Sequence, residues 1–312
     1  MADENNPVLL KLIKIAYSIL YFWNRKTWGC LGYFWRWMFD YNKSPIVVND
    51  YYMFVDPEND MGLSRDLMIL HRREPHSTDY IGKFLDRSDV VLDIGANIGY
   101  YAIMEALKAD TIYAIEPVPK NVSQLYKNIN LNNLKNVSVF SMAIGDRECN
   151  SPIYIYPKLN QCCVNEIVQL GESTGSITVP MTTLDVFVQA NGIEPTVARM
   201  DVEGYEYKIL RGSHETLKHL KKMFIEFHGN ILDIKQKKET LNILKDAGFT
   251  PEKIFIEPVP LHRGTHRIIA WLESRMGIIS EGEYPANYDT LTRLLDADRV
   301  CRVFLVKNNE VK

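Results

Sequence analysis

From Ser88 onward, short apolar runs alternate along the chain with stretches whose apolar residues recur at helical spacing. The apolar runs predict seven strands: Val90–Ile94, Thr111–Ile115, Val137–Met142, Val197–Met200, Lys222–Phe227, Lys253–Ile256 and Arg302–Val306. The other stretches predict helices over Tyr100–Lys108, Lys120–Leu131, Tyr205–Leu210 and Lys237–Ala247. This alternation is typical of an α/β protein whose parallel sheet carries helices on both faces.

Two segments interrupt the alternation. Residues 151–180 contain two strand-like runs, Ile153–Tyr156 and Ile177–Val179, around a polar loop, and we expect a hairpin insertion there. Residues 261–298 separate the last two predicted strands and include a helical run near Leu291–Leu295. Insertions at the carboxyl edge of such a sheet commonly form ligand sites, so we expect both to shape a substrate pocket.

The first 50 residues differ in composition from the rest, and we divide the chain into an extension over 1–50 and a main domain over 51–312. Eleven of the 34 aromatic residues lie between Tyr17 and Tyr41. Six basic residues and one acid give residues 5–48 a net charge of +5, although the whole chain is acidic. The extension is therefore both aromatic and basic.

This composition predicts a surface helix and not a membrane span. The longest uncharged run, Ile15–Asn24, is too short to cross a bilayer, and no signal peptide is evident. A helix with Lys11, Lys14 and Arg25 on one stripe and aromatic residues elsewhere suits a membrane interface. We expect peripheral membrane contact through residues 8–41. Packing on the main domain, or on a second copy in a homodimer, is the alternative.

Composition limits the remaining choices. A chain of 312 residues with 46% hydrophobic and 24% charged residues is an ordinary globular protein. A net charge of −3, with the basic excess confined to the aromatic segment, gives no reason to expect a nucleic-acid partner. The five cysteines form neither a disulfide framework nor a paired zinc pattern. We therefore expect a cytoplasmic protein, bound peripherally to a membrane if the extension acts as described.

A glycine loop follows the first predicted strand, in the segment VVLDIGANIGYY. Gly95 and Gly99 let the backbone turn sharply and let a ligand approach it closely. Glu116 stands at the end of the second strand, where a carboxylate can accept both hydroxyls of an adenosine ribose. The arrangement serves nicotinamide enzymes and S-adenosylmethionine enzymes alike.

Three details favour S-adenosylmethionine. Asn97 stands where a dinucleotide fingerprint requires glycine. Asp93 would repel a pyrophosphate but can hold a cationic amino group. Ala143 begins a small segment, ending at Asp146, that suits the floor of an adenine site. We therefore predict S-adenosyl-L-methionine as cofactor, with these binding residues: Asp93, Gly95, Asn97, Gly99, Glu116 and Ala143.

The chain resembles the FkbM family of S-adenosylmethionine-dependent methyltransferases. The resemblance covers about residues 55–260 and rests on these segments: VVLDIGANIGYYAI, IYAIEPVPKN, VFSMAIGD, TLDVFV, MDVEGYEYKILRG and FIEFHG. It implies a Rossmann-like sheet of seven strands, the last antiparallel, and O-methylation of a sugar or natural-product hydroxyl. One departure precedes the Asp-Val-Glu-Gly motif: the family often has a lysine there, whereas this chain reads Ala198-Arg199-Met200, and Arg199 could take that lysine's role only from a neighbouring position.

Acidic residues and a histidine stand at the ends of two predicted strands. Asp201 and Glu203 follow one strand, and Glu226 and His228 end another. In one interpretation, His228 or Asp201 is the general base and Glu203 orients the substrate. In a second, these side chains hold a divalent cation; in a third, they only cap helices and pair with basic residues. We predict a catalytic role for Asp201, Glu203, Glu226 and His228 and assign no metal ligand.

The sequence thus predicts an S-adenosylmethionine-dependent O-methyltransferase, with a sugar, glycan or glycolipid acceptor. The alternatives are a nicotinamide-dependent oxidoreductase and a non-catalytic scaffold that docks a membrane or partner. Asp93 and Asn97 argue against the oxidoreductase, and an intact glycine loop argues against the scaffold.

Overall fold

The computed structural model describes residues 45–56, 63, 64, 67, 71–155, 162–163, 175–256 and 282–307. The predicted aromatic helix lies outside these residues, and so does most of the 261–298 insertion. The division of the chain at residue 50 stays a prediction. No helix among the described residues is long and apolar enough to cross a membrane.

The described residues form an α/β structure, as predicted. The strands are β1 (Ile46–Val48), β2 (Tyr51–Met53), β3 (Val90–Ile94), β4 (Thr111–Ile115), β5 (Val137–Phe140), β6 (Ala143–Gly145), β7 (Cys149–Ile155), β8 (Cys162–Cys163), β9 (Gly175–Thr183), β10 (Val197–Met200), β11 (Lys222–His228), β12 (Phe249–Ile256), β13 (Gly282–Tyr284) and β14 (Val300–Lys307). The helices are α1 (Pro75–Phe84), α2 (Tyr100–Ala106), α3 (Pro119–Leu131), α4 (Leu184–Asn191), α5 (Glu206–Arg211), α6 (His214–His219), α7 (Ile234–Asp246) and α8 (Tyr288–Asp296).

The main sheet has eight strands in the order β13-β12-β14-β11-β10-β3-β4-β5. The five strands from β11 to β5 are parallel, and β14 runs antiparallel between β11 and β12. Seven strands and the antiparallel last strand match the sequence prediction. The eighth, β13, is a correction: Gly282–Tyr284, within the late insertion, pairs with the edge of β12 and extends the sheet.

The direction in which the chain fills the sheet reverses between β3 and β10. From β3 the chain continues to β4 and β5 on one side, and β10 continues to β11 on the other. Loops at the carboxyl ends of these two strands therefore diverge and leave a crevice between them, which is where open α/β sheets bind ligands. The glycine loop and the Asp201 segment both border this crevice.

Local sequence signals explain several helix boundaries. Proline occupies the first turn of α1 and of α3, where its missing N–H costs nothing. Thr183 caps α4 by accepting a hydrogen bond from the Val186 amide. Asp233 and Gln236 form a reciprocal capping box at the start of α7. These signals fix where the helices begin on either face of the sheet.

A second sheet of four strands, in the order β6-β9-β7-β8, forms beside the main one. Its strands β7 and β9 pair antiparallel over the whole of β7, which is the hairpin predicted for this region. The predicted third strand was too long: β5 ends at Phe140, and the chain then leaves the main sheet and pairs Ala143–Gly145 with β9.

Two apolar clusters cover the faces of the main sheet. One includes Leu92 and Ile94 of β3, and the other includes Val91. The alternation follows from the strand period of two, which turns neighbouring side chains to opposite faces. Asp93 therefore shares its face with Val91, beneath α2, whose seven residues are all buried.

Candidate active site

The glycine loop makes a tight turn after β3. Gly95 and Gly99 have φ angles of 86° and 98°, and Asn97 between them has a φ of 51°. A Cβ on Gly95 would lie 2.0 Å from the carbonyl oxygen of Asp201, so only glycine fits at this position. At Gly99 a Cβ would lie 2.7 Å from the Leu125 side chain. Gly95 is thus required by backbone packing, and Gly99 by its left-handed φ angle.

Glu116 ties this loop to the end of β4. Its Oε2 accepts a hydrogen bond from the Asn97 amide at 2.9 Å. Its Oε1 accepts from the Val118 amide at 3.0 Å and from the Asn121 side chain at 3.1 Å. Burial raises the pKa of Glu116 to about 7, although these hydrogen bonds favour the ionised form. Glu116 thus lies at the end of β4 beside the glycine loop, and its binding of a ribose stays a prediction.

Asp93 is fully buried, and its Oδ1 accepts a hydrogen bond from Arg199 Nη1 at 2.8 Å. Asp93 Oδ2 has no hydrogen-bond partner among the described residues. Burial raises the pKa of Asp93, and Arg199 opposes this shift. The sequence did not predict the pairing with Arg199. The direct contact of Asp93 with a cofactor stays a prediction.

Arg199 bridges the glycine loop and the candidate catalytic residues. Its Nη2 donates to Asp201 Oδ2 at 2.9 Å, while Nη1 binds Asp93. The guanidinium carbon lies 4.1 Å from the centre of the Tyr101 ring, in a cation–π contact. Burial raises the pKa of Asp201 even with Arg199 beside it. The departure from the family's usual lysine was the sequence signal for this position.

His228 lies between two carboxylates. Its Nδ1 donates to Glu206 Oε1 at 2.7 Å, and its Nε2 lies 3.2 Å from Glu203 Oε2. Burial alone would lower the pKa of His228, but Glu206 and Glu203 raise it well above its usual value of 6.5. Glu206, which the sequence analysis did not single out, also accepts a hydrogen bond from the Gly204 amide at 3.0 Å.

Asp201, Glu203 and His228 come together at one point of the carboxyl edge. One ligand atom from each lies within 4.8 Å of the other two. Glu203 has a left-handed φ of 52°, which is unusual for a residue with a side chain and turns its carboxylate toward His228. Three of the four predicted catalytic residues thus share one location.

Glu226, the fourth predicted catalytic residue, is held by other partners. Arg302 of β14 contacts both of its carboxylate oxygens, each at 3.2 Å. Arg302 also lies 3.1 Å from Glu74, which accepts a hydrogen bond from Tyr101. Burial would raise the pKa of Glu74, but Arg302 and Arg73 lower it to about 2. The structure places Glu226 in a buried ion network, and its catalytic role stays a prediction.

Ala143 lies apart from these groups in the small sheet. It begins β6, is buried, and pairs with Met181 of β9. Next to it in the strand, Gly145 lies close to Met181 and Tyr205, since a Cβ there would lie 2.6 Å from the Met181 sulfur. A role for Ala143 beneath an adenine ring stays a prediction.

The sequence profile of the Methyltransferase FkbM domain matches residues 93–251, which are half of the chain. The matched segment contains the glycine loop, Glu116, Arg199 and the Asp201–His228 cluster. The chain belongs to the FkbM methyltransferase family. Glu74 and Arg302, which hold Glu226, lie outside the matched FkbM domain, so the ion network joins this domain to flanking segments.

Two curated relatives match part of the chain. The hexuronic acid methyltransferase AglP of Haloferax volcanii is 25% identical over 168 residues, which cover 54% of this chain and 66% of AglP. Methyltransferase 1 of Beauveria bassiana is 30% identical over 155 residues, covering 42% of this chain and 61% of that protein. The alignments therefore leave about a third of AglP and more than a third of Methyltransferase 1 without a counterpart in this chain.

Among solved structures, the FkbM methyltransferase of Methylobacillus flagellatus KT aligns with a TM-score of 0.36 and 17% sequence identity. The alignment covers 52% of this chain and 38% of that one. The assignment of this chain to the FkbM family therefore rests on the match of residues 93–251 to the domain profile.

Proposed function

We propose that this FkbM protein transfers a methyl group from S-adenosylmethionine to a hydroxyl of a sugar-bearing acceptor. Membership of a methyltransferase family supports the transfer itself. The main support for S-adenosylmethionine as the cofactor comes from Glu116. This buried carboxylate joins the end of β4 to the glycine loop, which lies where the strand order reverses.

Two buried oxygens support the fit of this cofactor. Asn97 Oδ1 and Asp93 Oδ2 are acceptors without a hydrogen-bond partner among the described residues. S-adenosylmethionine offers donors of matching kind: ribose hydroxyls, an ammonium group and an adenine amine. A buried acceptor gains most from such a donor because it is costly to leave unpaired. When bound, the cofactor supplies an electrophilic methyl group on a sulfonium.

The protein's task is to place the acceptor oxygen and remove its proton. A methyl transfer requires the oxygen about 3 Å from the methyl carbon and in line with the bond that breaks. Asp201 and Glu203 lie at the edge of the same crevice as the glycine loop, and Arg199 connects the two groups. We assign Asp201, Glu203 and His228 to the acceptor hydroxyl. Glu116 and Asn97 bind the cofactor in this proposal.

The acceptor class rests on two observations. AglP, which matches over half of this chain, is named a hexuronic acid methyltransferase. We therefore propose that the acceptor of this protein is also a sugar. The basic aromatic residues 8–41 would place the enzyme at a membrane surface where lipid-linked sugars reside. A second copy of the chain remains the other candidate partner for that segment.

Calorimetric titration with S-adenosylhomocysteine tests the cofactor. We expect micromolar binding by the wild type, at least tenfold weaker binding by Glu116→Gln, and unchanged binding by the exposed control Glu148→Gln. A titration with reduced nicotinamide dinucleotide should give no heat. Binding of the nicotinamide cofactor instead, or equal affinity in all three proteins, would overturn the proposal.

The acceptor is tested with S-adenosylmethionine carrying a labelled methyl group. Uronic acids, neutral sugars and lipid-linked sugars are offered in parallel, with catechol as a non-sugar hydroxyl. We expect label on a sugar oxygen, which mass spectrometry of the product locates. Label on catechol alone, or on a nitrogen of an amino sugar, would contradict a sugar O-methyltransferase.

A further inference from the structure

Three side chains at the carboxyl edge have the separation of ligands around one metal ion. One donor atom each of Asp201, Glu203 and His228 lies within 4.8 Å of the others, and Glu203 Oε2 lies 3.2 Å from His228 Nε2. With metal–ligand bonds of about 2.1 Å, donors at adjacent octahedral corners are about 3 Å apart. Glu203 and His228 already have this separation, and Asp201 lies within 4.8 Å of both.

The imidazole of His228 is already oriented for coordination. Its Nδ1 donates to Glu206 Oε1 at 2.7 Å, and Glu206 is fully buried. This hydrogen bond directs the other nitrogen, Nε2, toward Glu203 and Asp201. A carboxylate behind a histidine is a common way to fix the ring and its tautomer at metal sites. Glu206 is not a ligand itself but a positioning residue.

The charges around this edge also favour a cation. The acidic side chains among the described residues here are Glu74, Asp93, Glu105, Asp201, Glu203, Glu206 and Glu226, and the arginines facing them are Arg73, Arg199 and Arg302. Counted with His228, which lies between Glu206 and Glu203, four basic groups face these seven carboxylates. A divalent ion at His228 would replace the Nε2 proton and so add one positive charge against the remaining excess of carboxylates.

We propose that Asp201, Glu203 and His228 bind one divalent transition-metal ion, and that this ion activates the acceptor hydroxyl. Two carboxylates with one imidazole suit Mn²⁺ or Zn²⁺ better than Mg²⁺ or Ca²⁺, which prefer oxygen ligands throughout. Three protein ligands leave coordination positions for the acceptor. The activation step rests on the proposed methyl transfer, whereas metal binding does not.

The chemistry balances without an added oxidant or reductant. The acceptor hydroxyl coordinates the ion, which lowers the hydroxyl pKa so that its proton passes to a water molecule. A lone pair of the oxygen then forms the new C–O bond with the methyl carbon. The C–S bond breaks, and its electron pair stays on sulfur as neutral S-adenosylhomocysteine. The ion would hold the oxygen in place throughout.

Metal binding is tested on the full chain after chelator treatment, by the loss of the free Mn²⁺ paramagnetic resonance signal. We expect one equivalent to bind saturably and Zn²⁺ to displace it. Glu203→Gln and the positioning variant Glu206→Gln should each weaken Mn²⁺ binding at least tenfold. The control is Glu215→Gln, which removes an exposed carboxylate paired with Lys218 on α6.

Two outcomes would overturn the site: no saturable binding of either ion by folded wild-type protein, or equal binding by the wild type and both variants. Thermal melting confirms that the variants are folded, and Glu203→Gln is a mild change because its side chain is partly exposed. S-adenosylhomocysteine titration runs in parallel. Mn²⁺ binding without S-adenosylhomocysteine binding would retain the metal site and reject the proposed function.

Discussion

Gly95 lies directly against the backbone of Asp201, so that a Cβ on the glycine would lie 2.0 Å from the Asp201 carbonyl oxygen. The Asp201 amide in turn donates to the carbonyl of Ile94 at 3.1 Å. The cofactor loop and the candidate catalytic edge therefore share one backbone contact, and neither can move far without the other.

This contact predicts the effect of Gly95→Ala. The variant must relieve a backbone clash and adopt a φ of 86°, so we expect the free energy of unfolding to fall by about 2 kcal/mol or more. Gly175→Ala is the matched control because a Cβ there meets nothing within 4 Å. Urea denaturation measures both. Equal midpoints for the two variants would contradict the argument.

Binding of S-adenosylhomocysteine should depend on pH through Glu116. Its pKa of about 7 means that the carboxylate is mostly ionised at pH 8 and mostly protonated at pH 6. Ribose hydroxyls donate best to the ionised form, so affinity should fall about tenfold from pH 8 to pH 6. Calorimetry at several pH values measures this. The dependence of affinity on pH should disappear in Glu116→Gln. If it persists in that variant, another group is responsible for it.

Arg199 should stabilise the fold through its two carboxylates. Arg199→Met leaves the buried Asp93 and the partly exposed Asp201 without their cation, so we expect the free energy of unfolding to fall by about 3–5 kcal/mol. The loss should be smaller at lower pH, where the carboxylates can take up protons. Arg199→Lys, which keeps a cation at this position, should recover part of the lost stability. Guanidinium denaturation measures each variant, and an Arg199→Met protein as stable as the wild type would refute the bridge.

Asp201 and Glu226 should respond differently to neutralisation. Asp201→Asn is expected to reduce kcat for sugar methylation by about a hundredfold or more, because the Asp201 carboxylate contacts the acceptor in the proposed reaction. Glu226→Gln is expected to lower the free energy of unfolding by about 1–3 kcal/mol, since it weakens the contact with Arg302, with a smaller effect on kcat. The reverse pattern would return Glu226 to the catalytic residues.

The basic aromatic extension should bind anionic lipid vesicles. We expect the full chain to sediment with vesicles rich in anionic lipid and to be released at high salt. A variant without residues 1–44 should stay in the supernatant yet retain S-adenosylhomocysteine binding. Neutral vesicles provide the lipid control. Sedimentation of the truncated variant would show that another surface binds the membrane, and a shorter elution volume of the full chain would favour a homodimer.

The strands that the sequence predicted best are those buried on both faces. Val90–Ile94, Thr111–Ile115 and Val197–Met200 have the same bounds in the structure because a continuous apolar run is typical of a central parallel strand. The edge strand β13, GEY, carries no apolar pattern and could not be recognised. Its place depends on pairing with β12 rather than on its own composition.

The sequence predicted which residue types stand at the strand ends of the candidate site. It did not predict which charged side chains pair with one another. Arg199 meets Asp93 because their strands are in register, although 106 residues separate them in sequence. Glu226 meets Arg302 through the register of β11 and β14 in the same way. A local pattern carries no information about register between distant strands. The partner of each charged side chain therefore required the structure.

The position of β14 has a consequence for how the chain is made. This strand, the last one described, lies inside the main sheet between β11 and β12 and not at its edge. While residues 300–307 are still being synthesised, β11 exposes an unpaired edge, β12 has no place to dock, and Glu226 lacks Arg302. Exposed strand edges invite aggregation. Ribosome-bound chains of this protein should therefore depend on chaperones until residues 300–307 emerge.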